Sequence, residues 1–170
     1  MRKILLTAFL LFSGAFSGCF LVNPYIEVKE SQLNWVEIHY YNTRSEPVRR
    51  YWVRLSGVGL VETRKGTSDL VSNDFAKGDD PAIWHDIKTQ RKQVDPKHLK
   101  DIFQDLVNYG LLDEEKNFRG AKKDHYDRFI AVKANISNYT YTEPQNIFEV
   151  DPDLAEKLLD VVWEFTNPTL

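Results

Sequence analysis

The chain predicts an α+β fold: an antiparallel sheet with two helices packed on one face. Three observations point there. Short runs alternate apolar and polar residues and are separated by polar or Gly-containing turns. Two later stretches carry apolar residues at helical spacing behind an Asp-Pro start. The order of pieces is strands, helix, hairpin, helix, and strands joined by turns too short for a crossover pair antiparallel.

Asn34 to Tyr41 (NWVEIHYY) alternates, with Val36, Ile38 and Tyr40 on one face and Trp35, Glu37, His39 and Tyr41 on the other. After a polar turn over 42–47, Val48 to Ser56 forms a second strand with Tyr51, Val53 and Leu55 on one face. Gly57 and Gly59 punctuate the way to a third, Leu60 to Lys65, so the two runs read as a hairpin that Gly66 ends. Residues 68–75 read as strand or irregular edge and 76–82 as a break. Ile83 to Val94, polar and bracketed by Pro81 and Pro96, reads as an exposed strand.

Asp95 to Tyr109 is a helix. Asp95 can accept the free amides of the first turn, and Pro96 at the first helical position gives up a donor that has no partner anyway. Leu99, Ile102, Phe103, Leu106 and Val107 make its buried stripe; Gly110 caps it, and Leu111 and Leu112 fold back on that face. Charged residues 113–125 read as a solvated loop. Asp127 to Ile136 is a strand with Ile130, Val132, Ala134 and Ile136 on one side. Ser137-Asn138 is a turn, and Tyr139 to Thr142 returns. A loop over 143–150 leads to a last helix, Pro152 to Phe165, capped by Asp151, with Leu154, Leu158, Val161, Val162 and Phe165 inward.

Ahead of all this stands MRKILLTAFLLFSGAFSGC. Arg2 and Lys3 are followed by a mostly apolar Ile4–Phe16 and then by Ser17, Gly18 and Cys19, the layout of a secretory signal peptide. The apolar run is too short, and too broken by Ser and Gly, for the ~20 residues that span a bilayer. The box Phe16-Ser17-Gly18-Cys19 resembles a bacterial lipoprotein signal, in which the Cys is diacylated with palmitate-type chains, the leader is cut before it and the new amino end is acylated. Phe16 stands where that family prefers Leu. Phe20, not Asp, follows the Cys, which resembles signals sorted to an outer membrane where the host has one. The resemblance implies residues 1–18 as signal peptide, 19–33 as lipidated tether and 34–170 as a single α+β domain. Cys19 is then the lipidation site, and the protein sits in the cell envelope with the lipid bilayer as its partner. Two or three acyl chains hold a protein on a membrane near-permanently, whereas one does not.

Cleavage there removes Arg2 and Lys3 and leaves 20 Lys+Arg against 25 Asp+Glu, a net charge near -5 that lacks the basic excess of a nucleic-acid binder. Cys19 is the only cysteine, so once acylated it leaves no thiol for a disulfide, redox site or metal. The domain must then rest on an ordinary apolar core, which 152 residues (170 less 18) can supply.

Candidates for chemistry are few. His39, His85, His98 and His125 show no i, i+4 pair and no HExxH, and each reads as a surface or rim residue. Asp124-His125-Tyr126-Asp127 is a polar cluster ahead of a strand. Asp79-Asp80 and Glu114-Glu115 read as hydrated loop residues, and Asp151 of the pair with Asp153 is already a cap; a glycosidase needs two carboxylates across a cleft. Ser56-Gly57-Val58-Gly59 reads as a turn, with no G-x-S-x-G and no phosphate-cradling third glycine. The sequence therefore gives no catalytic residue, metal ligand or cofactor. Arg49, Arg50 and Arg54, and Lys88, Arg91 and Lys92, read as solvated surface whose cationic stems cover aromatics, with anionic headgroups as a possible contact. Aromatics on both faces of the first two strands (Trp35 and Tyr41 against Tyr40 on the first, Trp52 against Tyr51 on the second) require a second layer or a face that binds an envelope protein.

The run Arg54-Leu55-Ser56-Gly57-Val58-Gly59-Leu60, and the helix end Leu106-Val107-Asn108-Tyr109-Gly110-Leu111-Leu112-Asp113, are similar in layout to the emfourin family of metalloprotease inhibitors. That resemblance covers about two-thirds of the chain and implies a non-catalytic domain; a displaced second glycine, the long 67–94 stretch and the lipid signal depart from it. The reading is a non-catalytic membrane-anchored lipoprotein with a binding or accessory role in the envelope. A proteinaceous inhibitor of a metalloprotease, or a hydrolase with a site assembled from sequence-distant residues, are the alternatives.

Overall fold

The computed structural model describes residues 26–68, 84–113, 127–143 and 146–167. Six antiparallel strands form one sheet: β1 (Trp35–Asn42), β2 (Val48–Ser56), β3 (Leu60–Ser68), β4 (His85–Gln93), β5 (Arg128–Ile136) and β6 (Tyr139–Glu143), in the spatial order β4-β3-β2-β1-β5-β6. Helices α1 (Pro96–Asn108) and α2 (Pro152–Thr166) pack on one face, as the fold class requires.

That face is built by parity. Val36, Ile38 and Tyr40 of β1 stand opposite Leu55, Val53 and Tyr51 of β2, and opposite Ala134, Val132 and Ile130 of β5. Leu99, Ile102, Phe103 and Leu106 of α1, with Leu154, Leu158, Leu159, Val161 and Val162 of α2, close the core over them. Trp163 meets Tyr40 and Tyr51 edge-on at 5.6 and 5.0 Å between ring centres, the T-shaped geometry aromatic quadrupoles favour.

Both helices start as their Asp-Pro pairs dictate. Asp95 Oδ1 accepts from Lys97 N at 2.9 Å, and Asp151 Oδ1 from Leu154 N at 3.2 Å. At the end of α1, Leu111 N donates to Leu106 O and Gly110 N to Val107 O, with Gly110 at φ 94 and Leu111 fully buried. This is a Schellman stop. The Ser137-Asn138 turn has both residues at positive φ, as a two-residue hairpin matching the sheet twist needs.

Four expectations are corrected. Gly66 does not end β3, which runs on to Ser68; it marks an irregularity, since the register against β4 slips between Lys65 and Thr67 and a Cβ at Gly66 would stand 2.6 Å from His85 O. The 143–150 loop contains a 3-10 turn (Ile147–Glu149) that drives Ile147 fully into the core. Its capping residue Asn146 ties the turn to β5 by accepting from Ile130 N and donating to Arg128 O. Third, the chain from Ile26 on is docked and not free. Val28 is fully buried, its N–H donates to Gln104 Oε1, and Gln104 Nε2 donates back to Ile26 O. Last, Arg50 and His39 are buried, as described below. The stretches 69–83 and 114–126 lie outside the described residues. β4 is an edge strand exposed along its whole length, and Lys88, Arg91 and Lys92 give it the charges that discourage edge-to-edge pairing.

Asn34 joins the docked segment to both hairpins. Its buried amide donates to Lys29 O at 2.8 Å and accepts from Ser137 N at 2.9 Å, while its main-chain O accepts from Gly57 N at 2.7 Å. Gly57 is required there, because a Cβ would fall 2.0 Å from Ser31 O. Asn34→Ala strands a carbonyl and an amide, so urea unfolding should report a loss of about 1–3 kcal/mol. An unchanged midpoint would show that the knot is decorative.

Candidate functional site

The face away from the helices carries the most concentrated polar chemistry among the described residues. Alternation sends Trp35, Glu37, His39 and Tyr41 of β1 there, flanked by Arg50, Trp52 and Arg54 of β2 and by Phe129, Ala131 and Lys133 of β5. Glu37 and His39 sit two residues apart at mid-strand, each 8% exposed. His39 Nε2 lies 3.0 Å from Glu37 Oε1. A carboxylate only accepts, so this nitrogen carries the proton.

Burial works to raise the Glu37 carboxyl. The hydrogen bond and charge of His39, then the Lys133 ammonium on the neighbouring strand, outweigh it, and the group ends below its ordinary value. The buried Trp52 indole N–H leans toward the same carboxylate without closing a hydrogen bond.

Around this pair the rings are roofed by guanidinium groups. Arg64 of β3 lies 4.7 Å over Trp52, Arg50 5.2 Å over Tyr41 and Arg54 5.5 Å over Trp35. Tyr41 stacks on Phe129 at 4.8 Å. Arg50 itself is buried, and burial pulls its guanidinium below the usual value against the opposing influence of Tyr41.

Chemically this is a hydrogen-bonded pair whose carboxylate is held ionised. A general base needs a pKa near working pH and a reacting group within reach. Glu37 is held the other way, between an imidazole, an indole and an ammonium. The expectation that His39 is a surface or rim residue is overturned, since the central strand buries both its faces. His85 and His98 are exposed, His98 paired with Glu164 at 2.6 Å. Asp127 accepts from Arg44 at 2.8 Å, and Asp151 is a cap. Ser56-Gly57-Val58-Gly59 is the β2–β3 turn. Cys19, Asp79, Asp80, Glu114, Glu115 and His125 lie outside the described residues. No three of the described His, Cys, Asp and Glu residues gather as a metal site would require, and no described helix is long and apolar enough to cross a membrane. Of the aromatic face named as a partner surface, Tyr41 and Trp52 are buried and Trp35 is half-buried.

A cavity of about 200 Å³ opens between residues 30–34 and the start of α1, lined by Ser31, Asn34, Gly57, Lys100 and Phe103 among others. No protein-family model matches the chain, and no curated protein matches it.

The buried pair carries a pH signature. Because folding lowers the Glu37 carboxyl, ionised Glu37 stabilises the fold above its unfolded value, and that contribution is lost as pH falls through the folded value. Glu37→Gln should cost about 1–2 kcal/mol at neutral pH and nothing at strongly acid pH. Thermal melts across pH would show the two curves converging; parallel curves would remove the pair from the acid response.

Proposed function

We propose that this chain is a lipoprotein of a bacterial cell envelope, anchored in the bilayer through acylated Cys19, whose domain serves as a non-catalytic binding or accessory module. The observation that carries the reading is the leader: Arg2 and Lys3, the apolar stretch to Phe16, and the chain's only cysteine placed directly after Ser17-Gly18. Hydrocarbon chains on that sulfur and on the new amino end supply the anchoring that no described helix supplies.

The fold is consistent with a holding role. Seven residue steps after Cys19 the chain is already bonded to the domain, Ile26 O and Val28 N both meeting Gln104. On the helix-free face the Glu37 carboxyl is held below its ordinary value by His39 and Lys133 and the guanidinium groups lie over rings, which suits a rigid surface better than proton transfer.

The test is metabolic labelling of the full chain in a bacterial host with an alkyne fatty acid. The wild type should take up label and appear as a mature form beginning at Cys19. Cys19→Ser should lose the label and keep residues 1–18. Label retained in the variant, or a wild-type mass showing a free thiol with the leader attached, would end the reading.

A further inference from the structure

We infer that the end of the sheet where β1 begins is a bilayer-seating surface. The tips carrying Leu33, Val58 and Tyr139 enter the boundary between lipid headgroups and acyl chains. This rests on the lipid-anchor reading and adds an orientation to it.

Five large apolar side chains are exposed among the described residues: Leu33, Val58, Ile87, Tyr109 and Tyr139. Single exposed apolar residues are ordinary, and Ile87 and Tyr109 need no further account. The other three, 67%, 43% and 54% exposed, are gathered by the main chain at one end. Leu33 O accepts from Asn135 Nδ2 at 2.9 Å. Gly57, beside Val58, donates to Asn34 O, and Ser137, two residues before Tyr139, donates to Asn34 Oδ1. Each projects from or beside a turn: the one before β1, the β2–β3 turn and the β5–β6 turn.

Half-buried Trp35 begins β1 at the same end, under the Arg54 guanidinium. Aliphatic tips beside Trp and Tyr rings are the composition found where proteins meet the membrane interface. Exposed Lys29 and Arg54 supply cations for headgroup phosphates, with Glu27 and Glu30 the opposing charges.

The path of the chain commits this surface to lipid. Seven residue steps separate Cys19 from Ile26, a reach of about 25 Å at full extension. Three residues later Lys29 N donates to Ser137 Oγ, at the end in question. The chain thus runs from Gln104 of α1 to this end within three residues, and an anchor at Cys19 draws this end toward the bilayer and directs the β1–β2 turn away.

The test uses the mature full chain in phosphatidylethanolamine–phosphatidylglycerol vesicles, with Leu33→Cys, Val58→Cys, Tyr139→Cys and, on the β1–β2 turn, Arg44→Cys. Each is labelled with a polarity-sensitive thiol dye, and the acylated Cys19 leaves the wild type unlabelled. Dye at 33, 58 and 139 should emit to the blue and be quenched by brominated acyl chains, and dye at 44 should do neither. If all four sites read as water while the chain stays on the vesicles and the wild type takes no dye, the seating is wrong and the anchor stands. Equal quenching at all four sites, a domain lying on its side, overturns the seating too. Dye uptake by wild-type Cys19 with no vesicle association overturns the anchor, and the seating with it.

Discussion

β1 lies third from one edge of a six-stranded sheet, hydrogen-bonded on both sides and buried on both faces, and most of the molecule follows from that. One set of its side chains is aliphatic or aromatic and meets the helices. The other set includes Glu37 and His39, which cannot be buried singly without losing hydration that nothing replaces. They are therefore buried as a pair, beside an indole and an ammonium from the adjoining strands. The six β1 residues from Val36 to Tyr41 are all buried although Glu37 and His39 among them are ionisable, because cross-strand neighbours complete those two.

The same constraint explains the arginines. β2, β3 and β4 together carry eight lysines and arginines against two carboxylates, while α2 carries four carboxylates against one lysine. Of that set Arg50, Arg54 and Arg64 stand on the face away from the helices, and Lys65 stands on the helix side. Lys65 of β3 donates to Thr166 O at the end of α2, where helix carbonyls are short of donors. On the other face the guanidinium groups find ring faces instead. They cover Trp52, Tyr41 and Trp35 with a flat cation, so broad rings need no second sheet above them.

What the sequence makes legible is whatever depends on a local period or a local cap. The Asp-Pro starts of both helices, the stripes of α1 and α2, the strand parity of β1, β2 and β5 and the Ser137-Asn138 turn are all of this kind. The rest depends on partners far along the chain. Ile147 is buried because Asn146 bonds two residues of β5, and no spacing within 143–150 announces that. Val28 is buried because Gln104, 76 residues away, clasps its main chain. His39 and Arg50 look like ordinary polar positions of an alternating strand, and only the sheet order, with β1 and β2 both interior, takes them out of water. The signal that was available was the Glu37-x-His39 pair set between Trp35 and Tyr41 on one strand face. Two ionisable groups at that spacing can satisfy each other, so they tolerate burial that neither tolerates alone.

Burial of Glu37 and His39 also bears on where activity can reside. A pair fixed at mid-strand is out of reach of a partner, and the described parts open to another surface include the ends of the sheet and its β4 and β6 edges. At the end where β1 begins, Asn34 bonds at once to the incoming chain, the β2–β3 turn and the β5–β6 turn. The segment from Ile26 on is therefore coupled to the sheet through short hydrogen bonds. Under the proposed lipid anchor, orientation at a membrane would follow from the fold, because the bonds of one buried amide tie the incoming segment to both turns and so to β1 and the strands on either side.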